Sequence, residues 1–211
     1  MEHSGVPRGK LRISLSSVLG ELATADMLAR FRSLYPNIDL DILVDDRFVD
    51  LVEEGFDLRI RASSAMPDSS MTYRNIGNIP VSLVASTTYL NRNGRPESVE
   101  GLEKHQMIAH RYSTNFTKGQ QIERVTIHCC ARANSTQLVY GLVVRHQGIA
   151  FLPHHIFADD PTIERLLPEY DRGSLTLSIV YPARDHTPLK VHNFINFFKE
   201  WFGEAFGVKP Q

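Results

Sequence analysis

Asp45-Asp46-Arg47-Phe48-Val49-Asp50-Leu51-Val52-Glu53-Glu54-Gly55-Phe56-Asp57-Leu58-Arg59-Ile60-Arg61 decides how the fold is read. The run before it, Ile38-Asp39-Leu40-Asp41-Ile42-Leu43-Val44, alternates apolar and polar residues, the period of a strand covered on one face. Within the stretch, Phe48, Leu51 and Val52 fall at i, i+3 and i+4, which predicts a short helix with one buried stripe. Gly55 stands where a helix end wants a left-handed residue. Phe56-Asp57-Leu58-Arg59-Ile60 then alternates again. Strand, helix and strand make a βαβ unit, and its short connections favour a parallel sheet with helices on its faces.

Upstream, residues 10–15 read as a first strand that ends in the polar pair Ser16-Ser17. Leu28, Phe31, Leu34 and Tyr35 form the expected buried stripe of a first helix, closed by Pro36-Asn37. These pieces compose one α/β lobe of ordinary size. Downstream, residues 62–80 look less regular, and Met66-Pro67-Asp68-Ser69-Ser70 reads as a turn-rich loop. Residues 81–86 read as a strand leaving the lobe. A second α/β pattern follows, with short helical turns at 88–90 and 99–105 and strands at 107–111 and 124–129. Next come a helix over 135–146 with Leu138, Leu142 and Val143 inward, a buried strand at 148–153 and a return strand at 175–181. The last helix, 189–206, carries Val191, Phe194, Ile195, Phe198 and Phe202 on one face. Phe197 and Trp201 lie off that stripe, placed to pack on a neighbouring lobe or subunit. The strands at 81–86 and 175–181 are the candidate hinge.

Composition narrows the function. Lys and Arg number 23 against 24 Asp and Glu, a balance that argues against a surface built mainly to grip nucleic acid. No apolar run approaches the ~20 residues that span a bilayer. Met1-Glu2-His3-Ser4-Gly5 has no signal-peptide core, and the adjacent pair Cys129-Cys130 is not a disulfide framework. A reducing, cytoplasmic setting fits, with the two thiols read as buried structural groups and a redox sensor as the weaker alternative. Catalytic signals are poor. The nine histidines, including His105, His110 and the pair His154-His155, show no zinc spacing, and there is no phosphate-binding or nucleophile-elbow motif. The expectation is a non-enzyme with no catalytic residue, metal or cofactor.

The residues also carry a resemblance. Arg8-Gly9-Lys10-Leu11-Arg12-Ile13-Ser14, Phe31-Arg32-Ser33-Leu34-Tyr35-Pro36, Asp46-Arg47-Phe48-Val49-Asp50-Leu51-Val52, Glu54-Gly55-Phe56-Asp57-Leu58 and Val180-Tyr181-Pro182 with Lys190-Val191 and Phe194-Ile195 occur in one order. Together they resemble the effector-binding domain of LysR-type transcriptional regulators. The Asp-Arg and Glu-Gly-Phe-Asp block is similar to the subgroup that includes CrgA-like regulators. The sequence departs from that family at Arg145-His146-Gln147-Gly148, where the family tends toward Ala-Gly-x-Gly. Nothing in it encodes the family's N-terminal winged helix-turn-helix.

The resemblance implies an α/β fold of two Rossmann-like lobes joined by two crossover strands, periplasmic-binding-protein type II-like. Lobe I is expected over 9–85 and 183–207, lobe II over 86–182, and 1–8 as a linker. It implies a small effector between the lobes and a side-by-side, antiparallel homodimer, or a tetramer in the full-length protein. DNA would be bound only through the absent N-terminal domain, and no membrane is involved.

In open α/β lobes, ligands sit beyond the C-terminal ends of strands, where helix N-termini offer free N–H groups. That rule selects Ser16 and Ser17, Ser63 and Ser64, Tyr112, Ser113 and Thr114, and Asn134, Ser135 and Thr136, with Arg111 as a bidentate counter-charge and Phe151 as an apolar wall. Hydroxyls, amides and helix-end N–H groups suit a small anion such as a carboxylate. The plainer reading of Ser and Asn before a helix is an N-cap that stabilises by about 1 kcal/mol. Arg47 and Arg61 read as partners of Asp45, Asp50 or Asp57. Two rival classes remain: a solute-binding protein of a transport system, which calls for an export signal, and a small enzyme on the same fold. The enzyme would need titratable groups in the cleft.

Overall fold

The computed structural model describes residues 5–19, 21–45, 50–62, 71–110, 116–118, 121–123, 128–170, 174–183 and 187–206. In chain order the elements begin β1 (Gly9–Leu15), α1 (Glu21–Leu34), β2 (Ile38–Val44), β3 (Leu58–Ala62), β4 (Met71–Ser86), α2 (Thr87–Asn93), β5 (Gln106–His110), β6 (Phe116–Lys118) and β7 (Gln121–Glu123). They continue with β8 (His128–Ala133), α3 (Thr136–Val144), β9 (Ile149–Pro153), α4 (His154–Phe157), β10 (Ile163–Leu166), β11 (Ser174–Pro182) and α5 (Leu189–Phe206). Two compact units result. One takes Met1–Asn78 with Thr176–Gln211, and the other takes Ile79–Leu175.

In the first unit the strand order is β2-β1-β3-β11. β1 pairs in parallel with β2 from Gly9–Ile38 to Leu15–Val44, and with β3 from Ile13–Leu58 to Leu15–Ile60. β11 closes this side in the antiparallel sense, with Leu177 opposite Ala62. The parallel sheet expected from the stretch at 45–61 is therefore present.

Its connecting helix is not what was expected. Phe48 lies outside the described residues, and residues 51–55 form a single hydrogen-bonded turn. Asp50 opens the turn, its Oδ1 accepting from Val52 N at 2.9 Å and Glu53 N at 3.0 Å. Gly55 closes it at φ 70, with Gly55 N donating to Val52 O and Phe56 N to Leu51 O. That pair of bonds is a Schellman ending, and the apolar contact that accompanies it is Leu51 with Phe56. Leu51 is thus buried, whereas Val52 is 65% exposed and off the expected stripe.

Arg12 and Asp57 tie this turn to the sheet. Arg12 Nη1 donates to Glu54 O at 2.8 Å, its Nε meets Asp41 at 3.0 Å, and its guanidinium lies 4.8 Å over the Phe56 ring. Asp57 Oδ2 accepts from Arg12 N and from Lys190 Nζ, so α5 is tied to the same corner. Lys190 is thus a partner of Asp57 that the sequence reading did not name, and Arg47 lies outside the described residues.

The core of this unit is α1 and α5 against β1. The buried stripe of α1 is Thr24, Met27 and Phe31, while Leu28 is half-buried and Leu34 is 63% exposed. Phe31 meets Tyr35, Phe194 and Phe197 at ring separations of 4.8, 5.0 and 5.3 Å. Phe197 and Trp201 are buried within this unit, which corrects their assignment to a neighbouring lobe or subunit. α5 has apolar residues around most of its circumference because both α1 and the sheet cover it.

In the second unit β4 pairs antiparallel with β9 and β10, and β5 pairs in parallel with β9 and β8. Successive residues feed two cores. Leu83, Ala85, Met107 and Ile149 join one cluster, and Val84, Ile108 and Ala150 join the other, as expected for strands covered on both faces. β4 is a single strand of 16 residues, so 71–80 is not irregular. β8 begins at His128, and the earlier part of the expected strand at 124–127 lies outside the described residues. On α3 the inward residues are Thr136, Val139 and Val143, with Leu138 at 55% exposure.

α3 ends on His146 at φ 62, where His146 N donates to Val143 O and Gln147 N to Leu142 O. A non-glycine residue there costs about 1–2 kcal/mol. The 2.8 Å bond between His146 Nδ1 and Ser86 Oγ offsets part of it. This is the outcome of the departure from Ala-Gly-x-Gly.

Gly148 packs so closely on the Gln106 carbonyl that a Cβ would collide with its oxygen. Gly148→Ala is expected to destabilise the protein by about 1–3 kcal/mol, read as a lower urea midpoint. An unchanged midpoint would contradict that packing.

Tyr140 Oη donates to Asp160 Oδ2 at 2.7 Å, and Thr162 donates to Asp160 Oδ1 from both N and Oγ1. The Thr162 and Tyr140 bonds hold the Asp160 carboxyl below its usual range. The bond to Asp160, with burial and its negative charge, pushes the Tyr140 phenol from its ordinary value of 10.0 up to about 12. The folded state holds that proton more tightly, so this contribution is complete below pH 10 and is lost as pH rises toward 12. Tyr140→Phe should flatten that alkaline fall in stability, measured by denaturation across pH 9 to 12. The same fall in both proteins would refute the assignment.

Candidate functional site

The strand tips of the first unit meet at one edge. Ser16 N donates to Ile60 O at 3.0 Å, and Asp45 N donates to Leu15 O at 3.0 Å, which brings the C-terminal ends of β1, β2 and β3 together. Ser16 and Ser17 are half-buried there, anchored by Val18 and Leu19 in the core. Ser63 and Ser64 lie outside the described residues.

Two residues missed by the sequence reading sit just inside this edge. Ser14 and Arg59 pair in register on β1 and β3 and are 0% and 5% exposed. The Ser14 hydroxyl has no hydrogen-bond partner among the described residues. The signal for Arg59 was available in Leu58-Arg59-Ile60-Arg61, since the alternation puts Arg59 on a face shared with Ser14.

In the second unit His110 at the end of β5 pairs with Ala133 at the end of β8. Asn134, exposed, and Ser135 follow directly. Ser135 caps α3, its Oγ accepting from Leu138 N at 3.2 Å, as the plainer reading held. A hydroxyl that accepts one bond still has its own proton to donate to a ligand. Phe151 stands one step beyond the Ile108–Ala150 pair on β9 and packs half-buried on the core. Asn134, Ser135 and Phe151 are therefore placed at one end of neighbouring strands. Arg111 and Ser113, with Tyr112 and Thr114, lie outside the described residues.

Among the described residues no group of three His, Cys, Asp or Glu could hold a metal ion. His105 is a core group. It lies 3.3 Å from the Tyr89 hydroxyl, and burial pushes its pKa down. Tyr89 in turn accepts from Gln106 N at 3.0 Å. The thiols depart from expectation: Cys129 is half-buried and Cys130 exposed, on the last strand in the order of the described strands. A recess of roughly 10 Å³ lined by Asp57, Tyr181, Pro182, Thr187, Pro188 and Val191 has room for about one water. It lies near the start of β3, away from the strand tips.

A family model described as LysR substrate binding domain matches residues 4–203. The chain belongs to the LysR substrate-binding domain family. Among similar proteins, an HTH-type transcriptional regulator of Haemophilus influenzae is 33% identical over 193 residues, covering 87% of this chain and 66% of that protein. The full-length virulence activator AphB of Vibrio cholerae, described as a member of the LTTR protein family, superposes at TM-score 0.80 with 25% identity, over 97% of this chain and 70% of that one. CrgA of Neisseria meningitidis, a LysR-type regulator, superposes at TM-score 0.82 with 24% identity, over 94% and 70%, and this likeness concerns the fold.

The chain spans about two thirds of the length of the curated relatives it matches. The expected fold is present: a mixed α/β chain of the periplasmic-binding-protein type II-like kind found in LysR regulatory domains. It is a LysR-type effector-binding domain, and its relatives are transcriptional regulators rather than enzymes. No helix among the described residues is long and apolar enough to cross a membrane.

Proposed function

We propose that the effector is a small anionic metabolite held by the strand-tip loops. Ser16 and Ser17 would act in the first unit, and Asn134 and Ser135, beside the apolar ring of Phe151, in the second. Ser63, Ser64, Arg111 and Ser113 complete the proposed set. The observation that carries this reading is the chemistry of those tips, which present hydroxyls, an amide and the amino end of α3. In the full-length cytoplasmic protein, binding favours one arrangement of the regulator over another and so alters DNA binding by an N-terminal helix-turn-helix. An effector does this only through unequal affinity for the two arrangements. The working form is a side-by-side, antiparallel homodimer, supported by β2 and β8 at the ends of the strand order and by exposed Val44 and Leu138.

A thermal-shift screen of aromatic and aliphatic carboxylates, amino acids and neutral analogues tests the proposal. At a ligand concentration 100 times Kd the stabilisation is about 2.7 kcal/mol, a rise of roughly 5–10 °C for a domain of this size. Stabilisation by neutral compounds, with none by any carboxylate, would overturn the anionic assignment.

A further inference from the structure

Cys129 and Cys130 are the only two cysteines of the chain, and they lie together on β8. In a regular strand, neighbouring side chains point to opposite faces, and two adjacent thiols cannot close on one atom. Here the register breaks. Met107 pairs with Cys129 and Ile108 with Ala131, so Cys130 is the extra residue of a β-bulge, where that alternation fails. Cys130 Sγ donates toward Met107 O at 3.4 Å and Gln147 O at 3.6 Å, and Cys129 Sγ toward Ala131 O at 3.0 Å. Both cysteines are free of disulfides, with Cys130 exposed and Cys129 half-buried.

We propose that Cys129 and Cys130 form a two-thiol site for trivalent arsenicals of the class R–As=O. Two As–S bonds form, two S–H bonds break and the oxygen leaves as water, so R–As=O and two thiols give R–As(SR)₂ and H₂O. Arsenic stays trivalent and no oxidant is needed. Soft sulfur is the matching ligand for such a soft centre. Burial of the sulfur and the neighbouring Cys129 push the Cys130 thiol up. A protonated Cys130 is a poor nucleophile for disulfide exchange, whereas the neutral thiol is the reactant of a condensation that expels water.

The test uses phenylarsine oxide on the folded chain, followed by thiol titration and intact mass. One arsenical is expected per chain, with both titratable thiols lost together and release by a dithiol but not by a monothiol. Cys129→Ser and Cys130→Ser should each weaken binding by about 100-fold or more, the gain from joining two ligands. Near-native affinity in either variant would overturn the proposal. So would loss of a single thiol per arsenic in the native protein, a readout that needs no variant to fold. Uptake only after unfolding in urea would overturn it as well.

Discussion

Phe31→Ala is expected to destabilise the first unit by about 3–5 kcal/mol, lowering its melting temperature by roughly 10 °C. The Phe31 ring is fully buried and touches the rings of Tyr35, Phe194 and Phe197 at about 5 Å. Truncation removes the transfer free energy of a large side chain, leaves a cavity that rigid neighbours cannot fill, and forfeits several ring contacts. The control is Leu34→Ala one turn away. Leu34 is 63% exposed, so its loss should stay within about 0.5 kcal/mol. Urea denaturation of both variants decides the matter. Equal losses, or a larger one for Leu34, would mean that α1 is rotated from the orientation described.

Ser16→Trp is expected to abolish effector binding while leaving the ligand-free stability close to the parent's. The Ser16 N–H bond to Ile60 O belongs to the backbone and survives the change. The half-buried side chain at the tip of β1 would then carry an indole into the proposed ligand space. The measurement is the ligand-induced rise in melting temperature, set against the melting temperature without ligand. A variant that folds and still responds fully would move the effector away from the tip of β1.

The fold was legible where local chemistry and tertiary contacts agree. Alternation at 38–44 and 58–62 produced strands, and Gly55 took the left-handed conformation that its place required. Helix faces were less legible, because apolar spacing alone does not say where the sheet lies. Leu34 and Leu138 fit a stripe yet face solvent, and Thr24 and Thr136 are buried instead. The first half of β4, Met71-Thr72-Tyr73-Arg74-Asn75-Ile76-Gly77-Asn78, looked irregular because its partner strand, β11, lies about a hundred residues away in sequence. Ladder bonds can impose extension on residues with little preference for it. At the candidate site, Ser16, Ser17, Asn134 and Ser135 could be read from the strand-to-helix transitions. Arg59 carried a signal in the alternation of its strand that the reading passed over, whereas the burial of Ser14 depends on how three strands register.

The first unit is assembled from both ends of the chain, with the second inserted between them. α5 follows the whole second unit in the chain, so the pocket that receives Phe31 does not exist until α5 has emerged from the ribosome. The inserted unit has its strands and both cores in hand well before then. The nascent chain therefore carries a finished middle flanked by an unshielded apolar helix, and that interval is when a chaperone would engage it.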